Sequence, residues 1–426
     1  MKIDVKILNL KRKSDICAIL IAYNRLDYTK KQIKLLTQQS IKPDILIIDN
    51  SKNCYISKYL KKEFKDISLL CIKKENIGTA GCFFVGEKIA YDIGYKYFLI
   101  SDDDAFPLNK KYIEHALKEF KKDKNIGIVV STRENFKNSF EIAQLGIIKR
   151  EVFDKCGFTY AQFFRFCEDI EFILRVSKYF KIKKIKDIHK HPYGAFAGET
   201  PNNLYYSIRN SLLLYCVYLH NTLKNPFVLF IRITDVLWHL LEGRKKFIYA
   251  SLLAYKDFLI KNFKNKPQIR NEVFNVLNEI NNDFVVLLPR KSDKKMLPKK
   301  IKIKNIEIYG ERGILKSNIK KETSFFKQAK ILMKNFNKNI LTVEYFPPIL
   351  LYLYKSVQTF HPKVNKIFII TKQRNEIVRI FYFLLLFFGS FILLFIFLII
   401  LFIYHFLVYN DNFFIENSKN IKLSII

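Results

Sequence analysis

Four apolar runs recur through the first hundred residues, each followed by a turn and a stretch of helical period. They cover residues 16–22, 44–49, 67–72 and 97–100. Continuous apolar runs of strand length, alternating with helices, predict a parallel sheet covered by helices. Such a sheet binds ligands beyond the carboxyl ends of its strands. Asn24, Asp49, Asn76 and Asp102 fall at or just beyond those ends, all on one edge. The last of them opens the run Asp102-Asp103-Asp104, which Pro107 stops from continuing as a strand. Three adjacent carboxylates repel one another. A divalent cation held by oxygen ligands and shared with a substrate phosphate relieves that repulsion. Asp102 and Asp104, at alternate positions, can point the same way. The competing reading is a solvated acidic turn ahead of a helix near Asn109.

Gly78 and Gly81 mark a strand-to-helix turn, where backbone amides can hold phosphate. Their spacing is neither a dinucleotide fingerprint nor a P-loop. Further on, the aromatic run from Phe163 leads straight into Glu168, Asp169 and Glu171. Carboxylates in the first turn of a helix are accounted for by its dipole. An apolar pocket also raises a carboxylate's pKa and makes it a usable base. Asp169 is therefore expected to act as a base, with Glu168 competing. His189 and His191 follow an alternating Lys/Ile stretch in a chain with only 7 histidines, and both invite a metal-ligand reading. Arg209 is expected to face either a diphosphate or the acidic cluster.

The chain has 426 residues and a net charge of +34, from 73 Lys+Arg against 39 Asp+Glu. That excess implies an anionic partner. The lysines are scattered and no nucleic-acid-binding motif is present, so no nucleic-acid partner is expected. The seven cysteines form no C-x-x-C pair and read as reduced core residues of a cytoplasmic domain. Charges at Lys2, Asp4 and Lys6 argue against a signal peptide. Residues 377–409 are almost purely apolar, with Arg379 and His405 the ionisable exceptions. That is long enough to span a bilayer, as one helix or as a hairpin at Gly389-Ser390. Basic residues precede it, so a single-pass cell-membrane protein with a cytoplasmic catalytic part is expected.

Six pieces of the first half together carry a resemblance: Ala22-Tyr-Asn-Arg25, Ile47-Ile-Asp-Asn-Ser51, Glu75-Asn-Ile-Gly-Thr-Ala-Gly81, Ser101-Asp-Asp-Asp-Ala105, Cys167-Glu-Asp-Ile-Glu-Phe172 and Tyr205-Tyr-Ser-Ile-Arg-Asn210. In this order, over residues 15 to 220, they resemble the family 2 glycosyltransferases of GT-A fold, and within them the rhamnosyl- and galactofuranosyltransferases. Cys167-Glu168 and Gly81-Cys82 depart from the Trp-Asp-Asp and Gly-Gly of many galactofuranosyltransferases.

The resemblance implies an α/β GT-A catalytic domain over 1–220 and an inverting transfer. The donor would be a UDP- or dTDP-sugar and the acceptor a hydroxyl of a lipid-linked or cell-surface glycan. It implies that Asp49 binds the nucleotide base beside Tyr23, Asn24 and Arg25. Asp102 and Asp104, flanking Asp103, would hold Mn²⁺ or Mg²⁺ with a histidine beyond the Glu-Asp pair, His189 or His191, of which His189, directly after the apolar Ile188, is preferred; Asp169 would be the general base. Beyond that domain, the chain reads as a helical region over 221–299 and a small basic membrane-proximal region over 300–376. The membrane segment 377–409 and a tail over 410–426 complete it. A degenerate GT-A scaffold, or a glycosidase using Asp102 and Asp169 as paired carboxylates, is the alternative.

Overall fold

The computed structural model describes residues 2–264 apart from 10–11, 73–74, 134–143, 192–199 and 219–226. Beyond them it describes short stretches between 266 and 371, then 376–408, 413–419 and 421–425. Two compact units result. The first is Met1–Gly194 with Asn410–Ile426, the second Ala195–Tyr409.

The first unit is built on a ten-stranded sheet. Its strands are β1 (Lys2–Asn9), β2 (Ile16–Ala22), β3 (Asp44–Asp49), β4 (Ser68–Ile72), β5 (Tyr97–Asp102), β6 (Phe106–Pro107), β7 (Ile126–Arg133), β8 (Gln144–Lys149) and β9 (Lys181–Lys190). The tenth, Lys422–Ile425, lies on the outer edge beside β1. Strands β4, β3, β2 and β5 form the parallel centre. Register places Ala22 opposite Asp49 and Ile21 opposite Asp102, so these strand ends share one edge.

Alternation along β2 explains why its whole run is apolar. Cys17, Ile19 and Ile21 enter one core with Phe84, Phe98 and Phe172. Ile16, Ala18, Leu20 and Ala22 enter the other with Ile33, Leu60 and Ile113. Burial on both faces excludes polar residues. Helices α1 (Leu26–Thr37), α2 (Tyr55–Glu63) and α4 (Tyr112–Lys122) supply the second core. Helices α3 (Gly78–Ile93), α5 (Arg150–Cys156) and α6 (Glu168–Val176) supply the first.

Strand β1 has no counterpart among the four runs. Its signal is the strict alternation of Lys2, Asp4 and Lys6 with Ile3, Val5 and Ile7. Cys54 and Cys71 form a disulfide, with Cα atoms 5.6 Å apart. This corrects the reading of all seven cysteines as reduced. The two half-cystines meet because β3 and β4 are neighbours, which no cysteine spacing announces. Among the others, Cys17, Cys82, Cys156 and Cys216 are free and buried, and Cys167 is free and half-buried.

In the second unit, α7 (Pro201–Val217) starts at Thr200, whose side chain accepts from the Asn203 amide. Helices α8 (Phe227–Leu241) and α9 (Lys245–Leu259) follow. A six-stranded sheet comprises β10 (Val276–Leu277), β11 (Phe284–Leu288), β12 (Asn305–Ile308), β13 (Asn339–Val343), β14 (Ser356–His361) and β15 (Lys366–Thr371). The division falls at 194 rather than at 220 because α7 is fixed to its own neighbours: Tyr205 donates to Asp257 of α9 at 2.7 Å. Residues 376–408 form one 33-residue helix, α10 (Glu376–Val408). Counted over the described residues, no helix is long and apolar enough to cross a membrane; several α10 side chains lie outside them. Helix α11 (Phe413–Lys419) and β16 (Lys422–Ile425) return the chain to the first unit.

Candidate active site

The turn after β5 brings together Asp102, Asp103, Asp104, Arg25 and His191. Arg25 forms ion pairs with Asp103 and Asp104 at once. Asp103 is fully buried and also accepts from the Thr29 hydroxyl at 3.4 Å. Burial pushes its carboxyl up to about 7, against the pull of Arg25. Asp102 is half-buried. Its carboxyl is also raised, by burial and then by the charges of Asp104 and Asp103. His191 Nε2 lies 3.0 Å from Asp104 Oδ1. Ligand atoms of Asp102, Asp104 and His191 all fall within 4.8 Å of one another.

Two carboxylates and an imidazole, beside three aspartates that Arg25 only partly balances, fit a divalent cation, and the nitrogen donor suits Mn²⁺ better than Mg²⁺. His191 takes this place, not the preferred His189. His189 sits within β9, is 1% exposed, and holds Ser131 Oγ at 2.7 Å through Nδ1. Burial lowers its pKa to about 3, so it stays neutral. Strand β9 ends at Lys190, and there the two-residue alternation stops governing where side chains point.

The second carboxylate cluster opens α6. Glu168 is 9% exposed and its Oε2 has no hydrogen-bond partner. Burial, then the Asp169 charge, pushes it up to about 8. Its charge also raises Asp102, so the two clusters feel each other. Asp169 is half-buried and Oδ1 accepts from the Ile170 amide at 2.8 Å. Glu171 is structural: Arg175 Nε and Nη2 donate to its two oxygens at 2.8 Å, both side chains fully inside. The approach to α6 is strained. Phe164, Phe166 and Cys167 have φ of 65°, 66° and 70°, costly for residues with a side chain.

Several expected ligand contacts are used internally instead. Asp49 is fully buried and accepts from the Ser51 amide and hydroxyl and from the Ser57 amide, so it builds the turn rather than facing a base. Asn76 Oδ1 accepts from Gly78 N and from Asn50 Nδ2, each at 2.7 Å. Ala80 N donates to Phe164 O at 3.1 Å. The start of α3 is therefore not an open phosphate cradle. Gly78, at φ +72°, is required because a Cβ there would lie 2.1 Å from Phe164 O. Gly81 makes room for Ile77. In this way the glycine turn anchors the loop that delivers Glu168 and Asp169.

Tyr23 is exposed and Asn24 takes φ 55°, which turns the chain so that Arg25 meets the aspartates. Asn50, at the end of β3, was not singled out in the sequence, although its polar amide follows an apolar strand. Arg209 belongs to the second unit and is fully buried. Its guanidinium donates to Asn210 Oδ1 and Phe263 O, so it is a core residue and not a diphosphate ligand as placed. The loop 192–199 lies outside the described residues.

No family profile and no curated protein matches this chain. Among solved structures, the mannosyltransferase PcManGT from Pyrobaculum calidifontis, in complex with GDP-Man and Mn²⁺, matches at 13% identity and a TM-score of 0.38. The match covers 47% of this chain and 63% of that one. S. aureus TarS 1–349 matches at 12% identity and a TM-score of 0.37, covering 62% of this chain and 94% of that one. The catalytic domain of Drosophila beta1,4-galactosyltransferase 7, in complex with xylobiose, matches at 17% and 0.31, covering 42% and 71%. At TM-scores this low the likeness assigns neither substrate nor metal.

Proposed function

We propose that this chain is a metal-dependent, inverting glycosyltransferase of the family 2, GT-A type. It moves a rhamnosyl- or galactofuranosyl-type sugar from a UDP- or dTDP-sugar to a hydroxyl of a lipid-linked or cell-surface glycan. One observation carries the reading: Asp102, Asp104 and His191 converge at the carboxyl edge of a parallel sheet, within electrostatic reach of the Glu168-Asp169 turn.

Asp102, Asp104 and His191 would hold the cation. When bound, it neutralises the donor diphosphate and stabilises its departure. Arg25, the cation already at the turn, supplies a second positive charge to that leaving group. Asp169, the more accessible acid of its pair, accepts the proton of the acceptor hydroxyl. The freed oxygen forms its bond to the anomeric carbon as the bond to the diphosphate breaks, from the opposite face. Buried Glu168 remains protonated near neutral pH and limits the negative charge beside Asp102. The products are the glycoside, the nucleoside diphosphate and one proton.

The test is a panel of UDP- and dTDP-sugars incubated with the full chain, with and without Mn²⁺, reading released nucleoside diphosphate. Release from one donor class, abolished by EDTA, is expected. No release from any nucleotide sugar sinks the reading. Membrane residence of α10 belongs to the same proposal, since a lipid-linked acceptor lies at a bilayer.

A further inference from the structure

Helix α10 has two different faces. Leu384, Phe388, Ile392, Phe395, Ile399 and Phe402 recur at spacings of three and four and are between 43% and 69% exposed. Residues so spaced share one side of a helix. From Leu384 to Phe402 the stripe runs about 27 Å, at about 1.5 Å per residue. On the other side, Ser390 and Leu401 are fully buried. Cys216 of α7 reaches Leu401 O at 3.7 Å, and His405 Nδ1 lies 2.8 Å from Cys216 O. Leu237 of α8 sits 3.5 Å from where a Cβ on Gly389 would be. Apolar exposure continues on α8, which packs beside it, at Leu240. A solvent-exposed stripe of large aliphatic and aromatic side chains, about as long as a bilayer's ~30 Å hydrocarbon core, suits acyl chains as its cover.

The chain beyond α10 fixes where that helix leads. Strand β16 pairs in parallel with β1, Lys422 opposite Lys2 through Ile425 opposite Val5. Phe414 is buried, with ring centroids 5.2 Å from Tyr160 and 5.5 Å from Phe163. A side chain on Gly157 would collide with the Ser418 hydroxyl, and Ile421 belongs to the core around β2. Residues 413–419 and 421–425 are thus part of the fold that holds the acidic turn, and occupy the same side of any membrane as strands β1 to β9.

We propose that α10 is seated in the bilayer through this stripe and yet is not a lone crossing: the chain returns to the side on which it began. A helix that carried the chain across once would strip β16 and Phe414 from the first unit. This stands in place of the single-pass topology expected from the sequence. It rests on the membrane residence proposed above and is independent of the chemistry.

Two measurements on the full chain separate the parts. Membranes carrying the protein are washed with alkaline carbonate. The natural chain should stay with the lipid, and Ile392→Lys/Phe395→Lys/Ile399→Lys should raise the released share at least about 5-fold, while Phe395→Leu should not. Release of the natural chain overturns the lipid seat. Separately, Lys62→Cys in α2 and Glu416→Cys in α11, both at exposed positions, are treated with a membrane-impermeant maleimide in intact and permeabilised cells. Labelling of the parent chain is subtracted. Both protected until permeabilisation supports the proposal. Both labelled in intact cells also supports it, while overturning the cytoplasmic placement of the catalytic part. Opposite accessibility overturns the shared side. Protease protection of tags at the two termini repeats the comparison without internal substitutions.

Discussion

The two carboxylate clusters of the first unit differ in what balances them. At the turn after β5, cationic Arg25 and the His191 imidazole face Asp103 and Asp104. At the start of α6, Glu168 has one bare oxygen and no ion pair among the described residues, and its pKa is pushed up to about 8. In the first cluster burial works against the negative charge, and Arg25 meets part of it. The second is arranged so that charge can come and go. In the function proposed above, metal binding falls to the first and proton transfer to the second.

The hardest way to break this assignment is at Asp104. Asp104→Asn removes a charged ligand and a partner of both Arg25 and His191. Turnover is expected to fall by about 10⁴-fold, as loss of several kcal/mol of charge stabilisation implies, with weaker Mn²⁺ binding. Thermal denaturation should confirm an intact fold. Full activity of this variant in EDTA would return the aspartates to the role of a solvated turn.

Asp169→Asn probes the other cluster. It keeps size and the cap on the Ile170 amide but cannot take a proton. Transfer should drop about 10²–10⁴-fold, while nucleotide binding, read by calorimetry, is retained. Glu168→Gln should cost far less, because Glu168 is already neutral near pH 7. The opposite order of severity would make Glu168 the base.

Arg25 sharpens the comparison. It occupies charge that a cation would otherwise claim. Arg25→Ala is therefore expected to tighten Mn²⁺ binding without donor by about 10-fold, roughly 1.4 kcal/mol, while slowing turnover. Electron paramagnetic resonance of free Mn²⁺ reads the affinity directly. Unchanged or weaker binding would show that Arg25 supports the aspartates rather than competing for them.

Much of this fold was legible because its strands are buried on both faces, which forces uninterrupted apolar runs at 16–22 and 44–49. The strand-end acids were legible for the same reason: polar residues stand out where such runs stop. What could not be read was which polar residues turn outward. Asp49 and Asp102 end the two strands that flank β2, in equivalent sequence settings, yet Asp49 is consumed by Ser51 and Ser57. His189 and His191 lie two residues apart, and only the end of β9 between them separates a core histidine from a metal candidate. From the sequence, Arg209 is expected to face a diphosphate or the acidic cluster, and it follows two tyrosines. In the fold those rings and Phe263 enclose its guanidinium. Long-range pairings, β1 with β16 and Cys54 with Cys71, leave no local signal at all.

A third carboxylate tests whether a raised pKa alone marks function. Glu87 is buried inside α3, accepting from the Thr159 amide at 2.8 Å and its hydroxyl at 2.7 Å. Burial pushes it from 4.5 to about 7 despite those bonds. Between those values the folded chain holds a proton that the unfolded chain has lost. Stability therefore falls as pH rises through that window, by on the order of 3 kcal/mol from this group. Glu87→Gln removes the titration and keeps one acceptor for Thr159. Denaturant unfolding across pH 4.5 to 7 should lose that slope, and turnover relative to the natural chain should change less than about 3-fold, since the residue touches neither cluster. A turnover loss near that of Asp169→Asn, with the slope intact, would place Glu87 in the catalytic machinery and dissolve the distinction between a buried acid and a working one.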